Sequence, residues 1–207
     1  VTSGHRMTND QTSAPSIRYR WTVLVMLTLV YTFNFIDRQI LVILQEPIKA
    51  DLGLSDAQLG LLTGFSFALV YVTAGIPIAW LADRSNRRNI VAASLAFWSF
   101  MTAISGLVQN FGQLLAARLG VGVGESGGSP PSHSMISDYF PPSSRGTALS
   151  FYSMGIYIGV LVGFAAGGWI AENFGWRNAF FVIGIPGILY ALVVLWVVKE
   201  PKRGQFD

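Results

Sequence analysis

Tyr31-Thr32-Phe33-Asn34-Phe35-Ile36-Asp37-Arg38-Gln39 lies inside an apolar run over residues 21–44 that is long enough to cross a bilayer. A spanning helix needs about 20 largely apolar residues. This one carries a full acid, Asp37, and a full base, Arg38, well inside it. Each ion costs about 2.5–3.5 kcal/mol at the centre of a membrane helix even on the lenient insertion scale. Ions inside a membrane span default to function, so the chain is read by asking what these two side chains face.

Hydrophobic residues make up 52% of the chain and charged ones 12%, against about 25% charged in soluble domains. Mean hydropathy is +0.48 and the apolar residues fall in blocks. The expected fold class is therefore an all-α integral membrane protein and not one large soluble core. A net charge of +3 would suggest nucleic acid in a soluble protein. Here the basic residues sit in short connections between apolar blocks, which is a topology signal, and no nucleic-acid partner is expected. The absence of cysteine excludes a disulfide framework, a thiolate nucleophile and a Cys-ligated metal. The six residues before Met7 look like a tag remnant, and residues 1–20 read as that remnant plus a cytoplasmic N-terminal segment. The first apolar block is too long and too charged for a signal peptide.

Six apolar segments can be marked, at 21–44, 57–82, 90–108, 114–137, 147–170 and 179–198. Together they form a lobe over 21–198, followed by 199–207 as the start of a central cytoplasmic loop. Arg18, Arg20, Arg84, Arg87, Arg88, Arg145, Lys199, Lys202 and Arg203 fall on one side of the alternating spans, and only Lys49 and Arg177 on the other. Positive-inside bias then puts both ends of the lobe in the cytoplasm. Trp21, Trp169 and Trp176 lie near span ends, where aromatic anchors belong. Spans one to three start inside and spans four to six start outside, so a three-helix repeat must be inverted. Inverted repeats place polar sites near the midplane of secondary transporters, on equivalent helices. The fourth span is the counterpart of the first, and it too carries one base and one acid, Arg118 and Glu125.

Arg118 and Glu125 are two helical turns apart and share a face. Gly120, Gly122, Gly124, Gly127 and Gly128 run between and after them and allow close backbone approach. Pro130 and Pro131 then break or kink the helix. Asn34 and Arg38 are four apart, with Tyr31 one turn earlier, so the first span also presents a polar stripe. Two acids and two bases could neutralise one another across a cavity; the alternative is a charge cluster that only fixes packing. Two soluble-enzyme patterns fail on context. Gly122-x-Gly124-x-x-Gly127 fits a dinucleotide fingerprint but follows no strand. Gly124-Glu125-Ser126-Gly127-Gly128 fits an esterase elbow, yet the one later histidine, His133, is a few residues along the same helix. His133 reads as a cavity or packing residue, and no enzyme is expected.

Ala79-x-x-x-Asp83-Arg84-x-Asn86-Arg87-Arg88 resembles the loop between spans two and three of the major facilitator superfamily, Gly-x-x-x-Asp-Arg-x-Gly-Arg-Arg. Ala79 and Asn86 replace its glycines; Ala is small and Asn is the best substitute in left-handed conformation. The resemblance implies a cytoplasmic gate made by Asp83, Arg84, Arg87 and Arg88, with Asp138 as partner, that stabilises the outward-facing state. Arg118-x-x-x-Gly122-x-Gly124 resembles the family's fourth-span signature, whose Arg is tied to proton coupling. Gly159-x-x-x-Gly163-Phe164-x-x-Gly167-Gly168 resembles its fifth-span antiporter signature. Phe164 stands where that signature has Pro, so antiport is not carried over, and close packing of small residues accounts for the stripe.

Within the family, Asn34-Phe35-Ile36-Asp37-Arg38, Gly122-Val123-Gly124-Glu125 and Gly175-Trp176-Arg177 are most similar to bacterial Spinster-like transporters, over about residues 20–201. The resemblance implies the N-terminal lobe of a proton-coupled transporter, with a C-terminal six-helix half as partner and no cofactor beyond protons. It also implies a bacterial inner-membrane location and a lysolipid or other small-molecule substrate. Organic-anion/proton symporters of the sugar-acid kind share the same charge pairs and are the alternative; a non-transporting receptor or scaffold is the rival of another class. In the expected mechanism Arg38 pairs with Glu125 or Asp37 until an anionic substrate competes for it, and the released acid then takes a proton. Asp37 and Glu125 are the expected proton carriers. Arg38, Arg118, Asn34 and Tyr31 are the expected substrate and charge-pairing residues.

Overall fold

The computed structural model describes residues 15–206. The tag remnant expected before Met7 lies outside the described residues. The described chain is helical nearly throughout. Ser16 caps α1 (Ile17–Ile43), its hydroxyl accepting from the Tyr19 amide. The first span therefore starts a turn before its apolar run. A short helix absent from the sequence reading, α2 (Gln45–Leu52), occupies the following connection and ends at Gly53 in left-handed conformation (φ 63°). The second span is composite. A capping box of Ser55 and Gln58 starts α3 (Asp56–Gly60), a π-helical turn over Leu61–Phe65 follows, and α4 (Ser66–Arg84) completes it. Asn86 and Asn110 cap α5 (Arg87–Ser105) and α6 (Phe111–Ser126).

The fourth span breaks at Gly127-Gly128, and α7 (Ser129–Tyr139) restarts with Pro130 and Pro131 in its first turn, where their missing N–H groups cost nothing. The predicted break is therefore present, but the two glycines make it and the prolines begin the new helix. Two long helices, α8 (Pro142–Phe174) and α9 (Trp176–Val197), meet at Gly175 (φ 83°).

An inverted repeat maps the first span onto the fourth, the second onto the fifth and the third onto the sixth. The packing obeys this mapping. The contact of α1 with α8 corresponds to that of α6 with α4, and the contact of α5 with α9 corresponds to itself. Among the described residues, four spans are long and apolar enough to cross a membrane unaided: α1, Asp56–Arg84, α8 and α9. The other two, α5 with its Arg87-Arg88-Asn89 start and the broken α6–α7, pack against each other.

Close approach of α8 to α1 depends on a glycine every fourth residue. A Cβ on Gly155 would lie 2.8 Å from the Thr28 carbonyl, one on Gly159 2.6 Å from Phe35 Cβ, and one on Gly167 2.6 Å from Ile40 Cδ1. The stripe is a packing surface, as the small-residue reading holds. Two apolar clusters fill the bundle, one around Leu24, Leu95, Trp98 and Val121, the other around Ile40, Leu114, Ala179 and Phe180. Trp176 belongs to the second cluster and is buried, edge-on to Phe180. It is not the lipid-facing anchor its place at a span end suggests, because the α8–α9 corner turns its ring inward. Trp21 and Trp169 are exposed.

Candidate functional site: two ion pairs between the first and fourth spans

The seam between the two clusters holds the charges. Asp37, Arg118 and Glu125 are buried, with relative exposures of 1%, 3% and 1%. Arg38 Nε donates to Glu125 Oε2 at 2.7 Å, and Arg118 Nη1 donates to Asp37 Oδ2 at 3.3 Å. Adjacent residues on a helix point about 100° apart. Asp37 thus turns toward α5 and α6, while Arg38 turns toward α4 and α6. The two side chains meet different residues of α6, and each base is matched with one acid. Of the alternatives open to Arg38, Glu125 is its partner. Arg118, expected among the charge-pairing residues, binds Asp37 directly.

The two pairs differ in their surroundings. Both Asp37 oxygens are occupied, Oδ2 by Arg118 and Oδ1 by the hydroxyl of Thr102 on α5. Glu125 has one oxygen on Arg38, while its buried Oε1 has no hydrogen-bond partner, and neither has Arg118 Nε. Arg38 is the reachable member, its side chain 31% exposed. Its guanidinium lies 5.1–5.3 Å from the ring centres of Phe35, Phe67 and Tyr71. Arg118 is 5.9 Å from the same Phe67 ring. Phe67 rests over Gly122, between Arg118 and Glu125 on α6, where a Cβ would lie in van der Waals contact with its ring at 3.4 Å. A cavity of about 240 Å³ opens beside these groups, with Arg38, Gln39, Thr63, Phe67 and Arg118 among its walls. It offers two guanidinium groups, an amide and a hydroxyl, and no acid among the described residues lines it. That chemistry suits a carboxylate or phosphate.

Asn34 is buried one turn before Arg38, its Oδ1 unpartnered. Tyr31 stacks on Tyr152 of α8 at 4.4 Å, and His133 of α7 meets Tyr152 edge-on at 5.1 Å. The esterase pattern is empty in space as well: the Ser126 hydroxyl donates to the Val123 carbonyl, and His133 is engaged with Tyr152.

The cytoplasmic residues separate into two groups. Arg87 is buried and donates to Asp138 at 2.5 Å, to Ser134 at 2.7 Å and to Glu200 at 2.7 Å. The Arg88 amide donates to the other Glu200 oxygen at 2.9 Å. Asp83 and Arg84 stand outside this cluster on the exposed end of α4, with Arg84 over the Trp80 ring. The chain after α9 is a strap across this end of the bundle. Tyr139 donates to the Lys199 carbonyl, Arg203 to the carbonyls of Ala82 and Ser85, and the Gly204 amide to Asp138. Sequence reasoning missed Thr102 and Glu200. A threonine in an apolar helix carries no signal; an acid amid the bases of residues 199–203 was a visible one.

This six-helix bundle has known counterparts. The family model described as Major Facilitator Superfamily matches residues 27–206. The chain belongs to that superfamily.

Its fold is that of the family's N-terminal lobe, in an integral membrane protein of a transporter class and not an enzyme class. The chain is 38% identical over 181 residues to an MFS-type efflux pump of Mycolicibacterium smegmatis, covering 87% of this chain and 42% of the relative. It is 36% identical over 190 residues to the probable galactarate/D-glucarate transporter GudP of Bacillus subtilis, covering 89% and 42%. Among solved structures it resembles a bacterial homologue of the human lysosomal transporter Spinster in an inward-facing, unoccupied conformation. The TM-score is 0.87 at 42% identity, covering 93% of this chain and 46% of that one. The chain thus spans less than half the length of these relatives.

Proposed function

We propose that this lobe is the N-terminal half of a proton-coupled secondary transporter that moves an anionic or amphipathic small molecule by alternating access. One observation carries the reading: Arg38, reachable from a cavity, is bound to a buried Glu125 whose second oxygen is bare. An anionic substrate entering the cavity competes for Arg38. Glu125, left without its counter-charge in an apolar surrounding, then binds a proton at Oε1, and the site again carries no unpaired charge. The lobes can then rock around the neutral site. A buried carboxylate with a vacant oxygen is the better proton carrier of the two acids, because Asp37 already accepts from two donors.

Proton-driven uptake into vesicles holding the intact transporter tests this. Glu125→Gln is expected to lose accumulation driven by a pH gradient, and Asp37→Asn to impair it by leaving Arg118 unbalanced. Unchanged coupling in both variants overturns the proposal. The gate is proposed to be Arg87, Arg88 and Asp138 with Glu200 added, holding the cytoplasmic ends together in one state of the cycle, with both ends of the lobe in the cytoplasm of a bacterial inner membrane.

For the substrate, the cavity of about 240 Å³ on this lobe has the size of a headgroup or a small sugar acid. Likeness to the Spinster homologue supports a lysolipid, and likeness to the galactarate/D-glucarate transporter supports a sugar acid. A thermal-shift screen of lysolipids against sugar acids separates them. The true substrate raises the melting temperature with concentration, and loses that effect in Arg38→Gln.

A further inference from the structure

Thr102 lies on α5, an element that contributes no charge to the midplane site, and the transport reading above uses it only as one of the two donors to Asp37. Its hydroxyl is within reach of two acceptors, Asp37 Oδ1 and, at 3.0 Å, the Trp98 carbonyl. A hydroxyl has one proton to give. The Trp98 carbonyl sits four residues back inside α5 and is served by the helix's own ladder. The carboxylate is the stronger acceptor, since hydrogen bonds to an ionised group are about twice as strong as neutral ones.

We propose that Thr102 is a positioning residue that holds Asp37 in its ionised form throughout the cycle, so that Glu125 alone takes the proton. This rests on the proton-coupled reading of the site. The charge count shows why it matters. With Glu125 protonated and a monoanionic substrate on Arg38, the cluster is neutral only while Asp37 still balances Arg118. A second proton on Asp37 would leave one buried guanidinium without a counter-charge.

The groups around Asp37 fit the role. From α6 it faces Arg118, and Glu125 beyond it; from α1, Arg38. From α5 the contact is the Thr102 hydroxyl. On α8 and α9 the ionisable side chains are engaged elsewhere or face outward. Tyr152 lies on Tyr31, Tyr190 on Met26, Arg177 on Asp51 and Arg145 on the Ser137 carbonyl. Tyr157 and Glu172 are exposed on the outer surface of α8.

Infrared difference spectra of the intact protein in lipid nanodiscs, taken between neutral and acid pH without substrate, test the proposal. The signal is the carbonyl stretch of a protonated carboxylic acid, assigned by its loss in Glu125→Gln or Asp37→Asn. The wild type is expected to show no Asp37 band, and any acid band it gains is expected to belong to Glu125. Thr102→Val, which keeps the shape and removes the hydroxyl, is expected to bring in an Asp37 band. Thr102→Ser should restore the wild-type spectrum. Circular dichroism of each variant confirms that the bundle remains folded. An Asp37 band already present in the wild type, or a Thr102→Val spectrum identical to it, overturns the proposal. A normal infrared result without proton-driven flux would sink the transport reading and leave the role of Thr102 standing.

Discussion

Arg118→Leu is expected to cost the folded lobe about 3–5 kcal/mol, because it strands the Asp37 carboxylate in a buried site. Asp37 is 1% exposed and would keep only the Thr102 hydroxyl as a donor. The loss should appear as poor assembly and a lowered melting temperature in detergent. Replacing both partners, Asp37→Leu with Arg118→Leu, should recover most of it, since a buried ion pair is often no better for stability than apolar residues of similar volume. The double variant also divides two accounts of the charges. A cluster kept only for packing, or a non-transporting scaffold, would tolerate the double replacement in every assay. The transport reading expects a protein that folds, fails to move substrate and shows no proton flux. A double variant as unstable as Arg118→Leu alone would show that the pair's geometry itself holds α1 against α6.

Gly159→Leu is expected to prevent α8 from seating on α1. Even a Cβ there would lie 2.6 Å from Phe35 Cβ and 2.7 Å from the Thr32 carbonyl, and one of these is backbone that cannot swing aside. Overpacking of this kind costs about 1–3 kcal/mol for a small addition and more for a branched side chain. Gly159→Ala should therefore fall in that range and Gly159→Leu should fail to give a monodisperse protein. Gly168→Ala, on the same helix, is the control. A Cβ at that position meets Ile43 at 4.0 Å, an ordinary contact, and should leave the melting temperature unchanged. Equal losses at the two positions would show that the contact with α1 does not explain the stripe, since helix propensity favours Ala over Gly at both.

Much of this architecture is legible in the sequence. Six spans follow from hydropathy because lipid forces every backbone group to be satisfied within a helix. The correspondence of Asp37 and Arg38 with Arg118 and Glu125 follows from counting spans. The choice of partners does not, because it depends on the rotation and height of α1 against α6, and both acids lie within reach in a linear reading. Thr102 is invisible for the same reason: its neighbour is 65 residues away in the chain. The grouping of Arg87 and Asp138 is foreseeable, but not the distance of Asp83 and Arg84 from it, since α4 ends with both facing solvent. Glu200, visible as the acid among the bases of residues 199–203, is passed over on the assumption that residues after the last span begin a loop, when they lie back across the bundle.

The π-helical turn at Leu61–Phe65 has a bearing on how such a chain can diverge. A π turn carries one residue more than an α turn, so everything after it is rotated by about 100° from where an unbroken helix would set it. Phe67 and Tyr71, one α turn apart on the far side, owe their place beside Arg38 to that offset. Loss of a single codon in this stretch would let the span close up as plain α-helix, with both ends still anchored in the bilayer. The fold would survive and the aromatic wall would swing off the arginine. Descendants could thus change what the arginine greets by insertion and deletion alone, with every charge left in place.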